Sequence, residues 1–167
     1  MRLSEPMTDI PPPLKPTGEI TVRRAEFKDV DAIATIFWRA RSEAMPWLAA
    51  VHTALETRGW ISRILLKKQD VYVAIRGGKI VGFMAVTPGW LNHLYVHPDA
   101  QRAGVGTILL AHVKRRLADG FRFWVFQKNL AARDFYEKHS AILLRETDGK
   151  TNEEREPDAE YEWRAAK

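Results

Sequence analysis

Two glycines that follow an apolar, strand-like run are the residues of this chain best suited to do chemistry. The run at residues 91–96 stops before Pro98, and the sequence Gln-Arg-Ala-Gly-Val-Gly then leads into an amphipathic segment. Gly104 and Gly106 let the main chain pass close to a ligand. The first turn of a helix has N–H groups without intrahelical partners, and the helix dipole makes that end attractive to anions. The stretch therefore predicts a phosphate-binding turn.

Two familiar phosphate-binding motifs do not fit these glycines. A Walker A loop continues with Lys and then Ser or Thr, whereas Thr107 and Ile108 follow Gly106 here. A dinucleotide-binding fingerprint has a third glycine three residues after the second, where this chain has Leu109. For the glycine pair alone, a plain strand–turn–helix connection stays an alternative.

A second pattern lies at the start of a later helical segment. Asn129 is a suitable N-cap, and Tyr136 follows it by seven residues, which is about two helical turns. Both side chains are therefore expected on one helix face. A capping role for Asn129 and core packing for Tyr136 remain the simpler interpretations.

Taken together, the two patterns resemble those of the GCN5-related N-acetyltransferase (GNAT) superfamily. That family carries Gln/Arg-x-x-Gly-x-Gly/Ala after a Leu-x-Val strand, here residues 94–106, and Asn-x-x-Ala-x-x-Phe-Tyr-Glu-Lys, here residues 129–138. The resemblance covers roughly residues 21–164. It implies an N-acetyltransferase that moves an acetyl group from acetyl-CoA to a primary amine by direct attack in a ternary complex. The acceptor stays open between a small amine, a peptide N-terminus and a lysine.

The resemblance also implies which residues bind acetyl-CoA. Main-chain groups of a splayed strand would bind the pantetheine arm together with Asn129, the glycine loop would bind the pyrophosphate, and the Tyr136 hydroxyl would point at the thioester sulfur. The expected cofactor-binding residues are Leu94, Tyr95, Val96, Gln101, Arg102, Ala103, Gly104, Val105, Gly106, Thr107, Asn129 and Tyr136. A thiol with a pKa of about 8.5 is a stronger acid than tyrosine at about 10. As a catalytic residue, Tyr136 is therefore expected to act mainly as a hydrogen-bond donor to the sulfur.

The base and the acceptor site are less determined. Some relatives carry a glutamate five residues before the asparagine, where this chain has Trp124. His93 is the tentative base because the ordinary pKa of histidine lies near neutrality, with packing as its alternative role. Trp47 and Asn92 are tentative acceptor-binding residues. The acidic run at residues 152–158 is interpreted as a solvated loop or as a rim that attracts a cationic amine.

Composition restricts the class of protein. The 167 residues, 46% of them apolar and 28% charged, suit one soluble domain (residues 19–167) behind a proline-rich flexible tail (residues 1–18). The absence of cysteine excludes disulfides, thiolate metal sites and a cysteine nucleophile, and no metal is expected. The net charge of +5 suits an anionic cofactor, but the interspersed acidic residues argue against a nucleic-acid partner. There is no apolar run of membrane-spanning length and no signal peptide. We therefore expect a cytoplasmic monomer or homodimer.

Hydrophobic periodicity predicts the element order βααβββαβαββ. The fold class is α/β, a central mixed sheet of about seven strands flanked by helices on both faces, as in the GNAT superfamily. Strands are expected at 21–27, 71–75, 80–86, 91–96, 121–126, 142–145 and 160–163, and helices after Asp29, at 51–67, at 105–117 and after Asn129. The almost wholly apolar strand at 121–126 is expected to be covered on both faces. His139-Ser140-Ala141 replaces the family's x-Gly-Phe, so a less regular helix end is expected there. The alternative to an enzyme is a CoA-binding regulatory or structural module without turnover.

Overall fold

A computed structural model describes residues 18–167, which form one seven-stranded sheet within that range. The strands are β1 (Ile20–Arg24), β2 (Asp70–Arg76), β3 (Lys79–Thr87), β4 (Trp90–Val96), β5 (Phe121–Phe126), β6 (Ile142–Glu146) and β7 (Asp158–Trp163). Their order across the sheet is β1-β2-β3-β4-β5-β7-β6, and every neighbouring pair is antiparallel except β4 and β5. The predicted mixed sheet is confirmed. The predicted tail lies outside the described residues except for Gly18.

The helices also follow the predicted order. They are α1 (Val30–Ala44), α2 (Ala54–Trp60), a π-helical stretch (Ile61–Leu65), α3 (Leu66–Lys68), α4 (Val105–Arg116) and α5 (Leu130–Lys138). Because α2, the π-helical stretch and α3 are continuous, they make up the single helix expected at 51–67. No helix between residues 18 and 167 is long and apolar enough to cross a membrane.

The sheet separates two hydrophobic clusters. On one face, α1 and the π-helical stretch pack over β2 and β3, with Ile33, Ile61 and Phe83 fully buried. On the other face, α4 and α5 pack over strands from β2 to β7, and Leu109 and Tyr161 are fully buried. Helices therefore cover both faces, as predicted.

Strand β5 departs from the expectation that both of its faces are covered. Phe123 and Val125 are buried toward α4 and α5, whereas Arg122 is exposed and Trp124 is 42% exposed. The expectation was wrong because α1 packs on β3 and β4 instead of extending over β5. The guanidinium of Arg145, 5.1 Å from the ring centre, covers part of Trp124.

Asp29 precedes α1, but its carboxylate does not cap that helix by a side-chain hydrogen bond. It accepts two bonds from Arg23 (2.7 and 2.9 Å) and one from the Glu26 N–H (2.8 Å). These bonds hold the end of β1 against the start of α1. They also lower the pKa of Asp29, with the Arg23 hydrogen bond as the largest cause.

The C-terminal end of α5 is more regular than expected. The Ala141 N–H donates to the Tyr136 carbonyl (3.0 Å) and the Ser140 N–H donates to the Glu137 carbonyl (3.1 Å), which is the full Schellman pattern. Ser140 has a φ of 71° and so occupies the left-handed position that glycine usually takes. The expectation of an irregular end was wrong, because Ser140 takes the conformation of the family's glycine.

Candidate active site

The sheet opens between β4 and β5. Within the described chain their ladder consists of one parallel bridge, Trp90 with Arg122, supported by a 2.9 Å hydrogen bond from the Arg122 N–H to the Gly89 carbonyl. Beyond this bridge the strands separate around a cavity of about 540 Å³, which we call the gap cavity. Side chains from β4, β5 and α5 line it, among them Leu94, Tyr95, Phe123, Trp124, Val125, Asn129 and Tyr136. The splayed strand expected from the resemblance is therefore present.

A β-bulge in β4 lies beside this opening. The register pairs Ala85 with His93 but Val86 with Leu91, so Asn92 is the extra residue. A bulge bends its strand and redirects the side chains around it. Here it sends His93 toward α1, while Leu91 packs in the cluster under α4.

The turn before α4 presents unpaired main-chain donors. Among the described residues, the six consecutive N–H groups from Arg102 to Thr107 donate to no protein acceptor, and the first helical bond runs from the Ile108 N–H to the Gly104 carbonyl (3.1 Å). Gly104 has a φ of 84°, and a Cβ built on it would meet nothing within 4 Å. A turn of free donors with an open approach at the start of a helix is suited to a diphosphate.

The remaining residues expected to bind the cofactor surround this turn. The Gln101 side chain donates to the Val96 carbonyl (3.4 Å), which ties the turn to the end of β4. Thr107 is exposed, and its hydroxyl lies 3.4 Å from Nε2 of His139 on the end of α5. The ring of Phe135 lies across from Gly106, where a Cβ would be 3.4 Å from it. The turn is thus held between β4 and α5.

Asn129 and Tyr136 both line the gap cavity, as their spacing predicts. The Asn129 side-chain oxygen accepts a bond from the Ala132 N–H (3.2 Å), so the predicted N-cap is confirmed. The Tyr136 ring lies 4.3 Å from that of Phe123 and is buried. Burial raises the pKa of Tyr136, with a smaller contribution from Tyr95, so the hydroxyl keeps its proton across the physiological range.

His93 lies in an aromatic setting. Its ring centre is 5.3 Å from that of Trp60, 6.0 Å from Phe37 and 6.1 Å from Tyr95, and its Nδ1 is buried without a partner among the described groups. Burial lowers the pKa of His93 to about 4, and the positive charge of Arg41 contributes a smaller part. The imidazole is therefore neutral at pH 7. It can accept a proton, but its low pKa means that it holds the proton weakly.

A second cavity of about 420 Å³ adjoins the first on the α1 side of the sheet, and we call it the side chamber. The two cavities share the residues Arg41, Met45, His93 and Glu154. Arg41 donates to the Tyr95 hydroxyl (3.1 Å) and to the Glu154 carboxylate (3.0 Å). This ion pair and His93 form the junction between the chamber and the gap.

The two tentative acceptor residues occupy different places. Trp47 packs edge-on against Phe126 at 6.2 Å and is not among the residues that line either cavity. Asn92 lines the gap cavity, but its amide donates to Gln69 (3.0 Å) and Thr87 (2.9 Å). Neither side chain has a free polar group at the junction of the two cavities.

Sequence reasoning did not single out Arg41, although a signal for it exists. Phe37 and Arg41 are four residues apart and therefore share one face of α1, and Met45 follows after four more residues, directly behind the helix. That face is the one turned to the side chamber. Glu154 was considered only as part of an acidic run, because nothing in the sequence pairs it with a residue 113 positions earlier.

Comparison with known proteins adds to this geometry. A sequence model of the family described as "Acetyltransferase (GNAT) domain" matches residues 67–139, which include the glycine turn, Asn129 and Tyr136. The chain is 28% identical to the peptidyl-lysine N-acetyltransferase YjaB of Salmonella typhimurium over 120 residues, which cover 71% of this chain and 81% of that protein. It is 27% identical to the peptidyl-lysine N-acetyltransferase YiaC of Escherichia coli, over 70% of this chain and 79% of the relative.

Solved structures share the fold. The solution structure of the apo-form of YjaB from Escherichia coli superposes with a TM-score of 0.74 at 21% identity, over 89% of this chain and all of that one. The PaiA N-acetyltransferase of Thermoplasma acidophilum, solved in complex with coenzyme A, gives 0.68 at 15% identity over the same shares. Residues 67–139 of the chain thus match the GNAT acetyltransferase domain, and the chain is an enzyme of the acyltransferase class.

Proposed function

We propose that this enzyme transfers the acetyl group of acetyl-CoA to a primary amine by direct attack in a ternary complex. The observation that carries the proposal is the convergence of three features on one opening: the unpaired edge of β4, the free donors from Arg102 to Thr107, and the side chain of Tyr136, which lines the gap cavity. When bound, acetyl-CoA supplies an activated acetyl group, so that a C–N bond to the amine forms, the C–S bond breaks and the thiol leaves.

In this proposal the main chain provides most of the cofactor site. The turn from Gln101 to Thr107 would hold the diphosphate, and the free edge of β4 together with Asn129 would hold the amide-bearing arm, as an added strand pairs with a sheet edge. Holding donor and acceptor in one orientation removes much of the entropic barrier of a two-molecule reaction.

Tyr136 would stabilise the charge that develops on sulfur. The raised pKa of Tyr136 makes full proton transfer to a thiolate unfavourable, since the thiol is the stronger acid. The hydroxyl therefore serves as a hydrogen-bond donor in the transition state. Its place in the lining of the gap cavity makes that bond possible.

The acceptor must lose a proton before it attacks. For an alkyl amine with a pKa of about 10.4 this costs roughly 4–5 kcal/mol at pH 7. We propose His93 as the base only in the sense of a relay, because a ring with a pKa of about 4 passes a proton on to solvent instead of keeping it. A cytoplasmic location and a monomeric or homodimeric state stay predictions.

Titration calorimetry with coenzyme A and a thiol-release assay over a panel of amines test the proposal. We expect saturable binding, amine-dependent thiol release and initial-rate plots that intersect, as a ternary complex requires. Binding without release for any amine would instead support the non-catalytic CoA-binding module, an alternative favoured by the presence of Trp124 where some relatives carry a glutamate. Parallel initial-rate plots would exclude direct attack in a ternary complex.

A further inference from the structure

The side chamber has walls that are mainly carbon. It lies between α1, the loop that follows α1, and the start of α2, and its volume of about 420 Å³ is that of a small-molecule site. The aromatic rings on its walls pack against one another, with Phe37 and Trp60 5.8 Å apart and Trp60 and His93 5.3 Å apart. The other apolar lining residues are Trp38, Met45, Leu48, Ala49, Ala50 and Val51.

Charge is unevenly distributed along the chamber. At the inner end Arg41 and Glu154 form a paired, half-buried ion pair beside neutral His93. At the outer rim Glu153 and Glu56 are exposed on either side of His52, at 2.5 and 3.9 Å from its ring nitrogens. The rim is therefore acidic, whereas among residues 18–167 the interior provides no unpaired countercharge.

This arrangement favours one kind of amine. The rim carboxylates attract an ammonium group only during entry, because the reacting nitrogen must reach the gap cavity as the neutral amine, and the aromatic interior stabilises the apolar body that follows it. A second charged or strongly polar group carried inward would be desolvated without a partner, which is unfavourable. The thin four-carbon stem of a lysine side chain contacts fewer of the chamber walls than an aromatic ring does.

We propose that the side chamber binds the body of the acceptor and selects small amines that carry one ammonium and an aromatic or bulky apolar group. The inference rests on the proposed function, because it names the acceptor class of that same site. The shared wall formed by Arg41, Met45, His93 and Glu154 is the passage through which the amine reaches the gap cavity.

A comparison of three acceptors tests the inference. We choose 2-phenylethylamine, ethanolamine as a single ammonium without an apolar body, and a lysine-containing peptide with a blocked N-terminus. We expect kcat/KM for 2-phenylethylamine to exceed that for the other two by roughly 10- to 100-fold, the range that burial of one aromatic ring provides. Calorimetry on the protein saturated with coenzyme A gives a second readout, with the same order of affinities.

A variant that fills the chamber locates the effect. Ala50→Phe places a ring in an exposed loop that lines the chamber, so the fold is expected to tolerate it. We expect kcat/KM for 2-phenylethylamine to fall at least 10-fold and to fall more than the value for ethanolamine, while the affinity for coenzyme A changes less than about twofold. Ala118→Phe, at an exposed position outside both cavities, is the matched control and should change none of these values.

The outcomes distinguish a failure of the proposed acceptor preference from a failure of the proposed N-acetyltransferase function. Equal or better turnover of ethanolamine or the lysine peptide overturns the inference and leaves the N-acetyltransferase activity intact. The same holds if Ala50→Phe leaves turnover of 2-phenylethylamine unchanged. Absence of thiol release with all three acceptors, with coenzyme A still bound, overturns the proposed function and the inference with it.

Discussion

The gap cavity and the side chamber are built from different parts of the polypeptide. The donors of the turn before α4 are main-chain N–H groups that lie within six consecutive residues. The chamber is built from residues of α1, the loop that follows α1, α2, β4 and residues 153–154, which are far apart in sequence. A main-chain site depends on where glycines permit a backbone conformation, whereas a side-chain site changes with every substitution. Recognition of the cofactor is therefore expected to be robust and recognition of the acceptor easily altered.

The largest effect is expected at the glycine turn. Gly104→Glu places bulk and a negative charge in the open space before α4, where the diphosphate is proposed to bind. We expect at least a 100-fold loss of coenzyme A affinity by calorimetry, with the fold retained by circular dichroism.

Gly104→Ala is the control for backbone strain. With a φ of 84° any L-residue at this position is strained by about 1–2 kcal/mol, so both variants should lose stability to a similar extent. Only the glutamate should cause the large loss of affinity. Equal affinities for the two variants would mean that the turn does not face the diphosphate.

His93, which lines the side chamber, is tested through the pH dependence of folding stability. The ring takes up a proton near pH 6.5 in the unfolded chain and near 4 in the folded one, so the unfolded state binds more protons between these values. Folding stability should therefore fall as the pH is lowered through this window, by about 3 kcal/mol at most from this residue. Urea unfolding of the parent and of His93→Phe, between pH 7 and 4, measures the difference.

His93→Phe should flatten this dependence without abolishing it. Burial also lowers the pKa of His112, with smaller effects from Arg115 and Arg116, so part of the pH dependence remains in the variant. Identical slopes for parent and variant would show that His93 is not buried as described. Because the ring stays neutral from pH 6 to 8, an inflection of the rate in that range is expected to persist in the variant.

Tyr136→Phe examines the group closest to the proposed reaction. The ring keeps its packing against Phe123, so the affinity for coenzyme A should change less than threefold. Loss of one hydrogen bond to a developing charge should reduce kcat by roughly 10- to 100-fold. An unchanged kcat would remove Tyr136 from the chemistry and leave it a packing role.

The smallest effect concerns the end of the helix that carries Tyr136. Ser140→Gly should raise the unfolding free energy by about 0.5–1 kcal/mol, because glycine occupies a φ of 71° without strain while it increases the entropy of the unfolded chain. Ser140→Ala keeps the strain and should give no gain. If both variants are equally stable, the left-handed conformation is not the cause of the cost.

Much of the fold could be predicted because local patterns and packing agree. The Gly77-Gly78 turn between β2 and β3 has the positive φ values (57° and 73°) that its sequence indicates. Strand β5 shows the limit of local patterns, because the apolar character of a residue such as Trp124 does not indicate whether a helix will cover it. Coverage of a strand depends on where α1 lies, which is a property of the whole sheet.

The residues of the candidate site also divide into those that local patterns predict and those that depend on tertiary packing. Gly104, Asn129 and Tyr136 were predicted from short motifs, and all three lie at the gap cavity or at the turn beside it. Trp47 was predicted to bind the acceptor from its position in the sequence alone, but its ring packs against Phe126. The pair of Arg41 and Glu154 could not be deduced because their contact depends on tertiary packing across 113 positions.

The bridge between Trp90 and Arg122, the one rung between β4 and β5 in residues 18–167, has a consequence for rigidity. The middle of a sheet is usually its stiffest region. Here the two halves of the sheet, β1–β4 and β5–β7, are joined by one bridge and by a shared layer of apolar side chains. A ligand that forms hydrogen bonds with the free edges of β4 and β5 would act as a temporary eighth strand of the sheet. Slower amide hydrogen exchange in β4 and β5 would then report occupancy as directly as a change in rate.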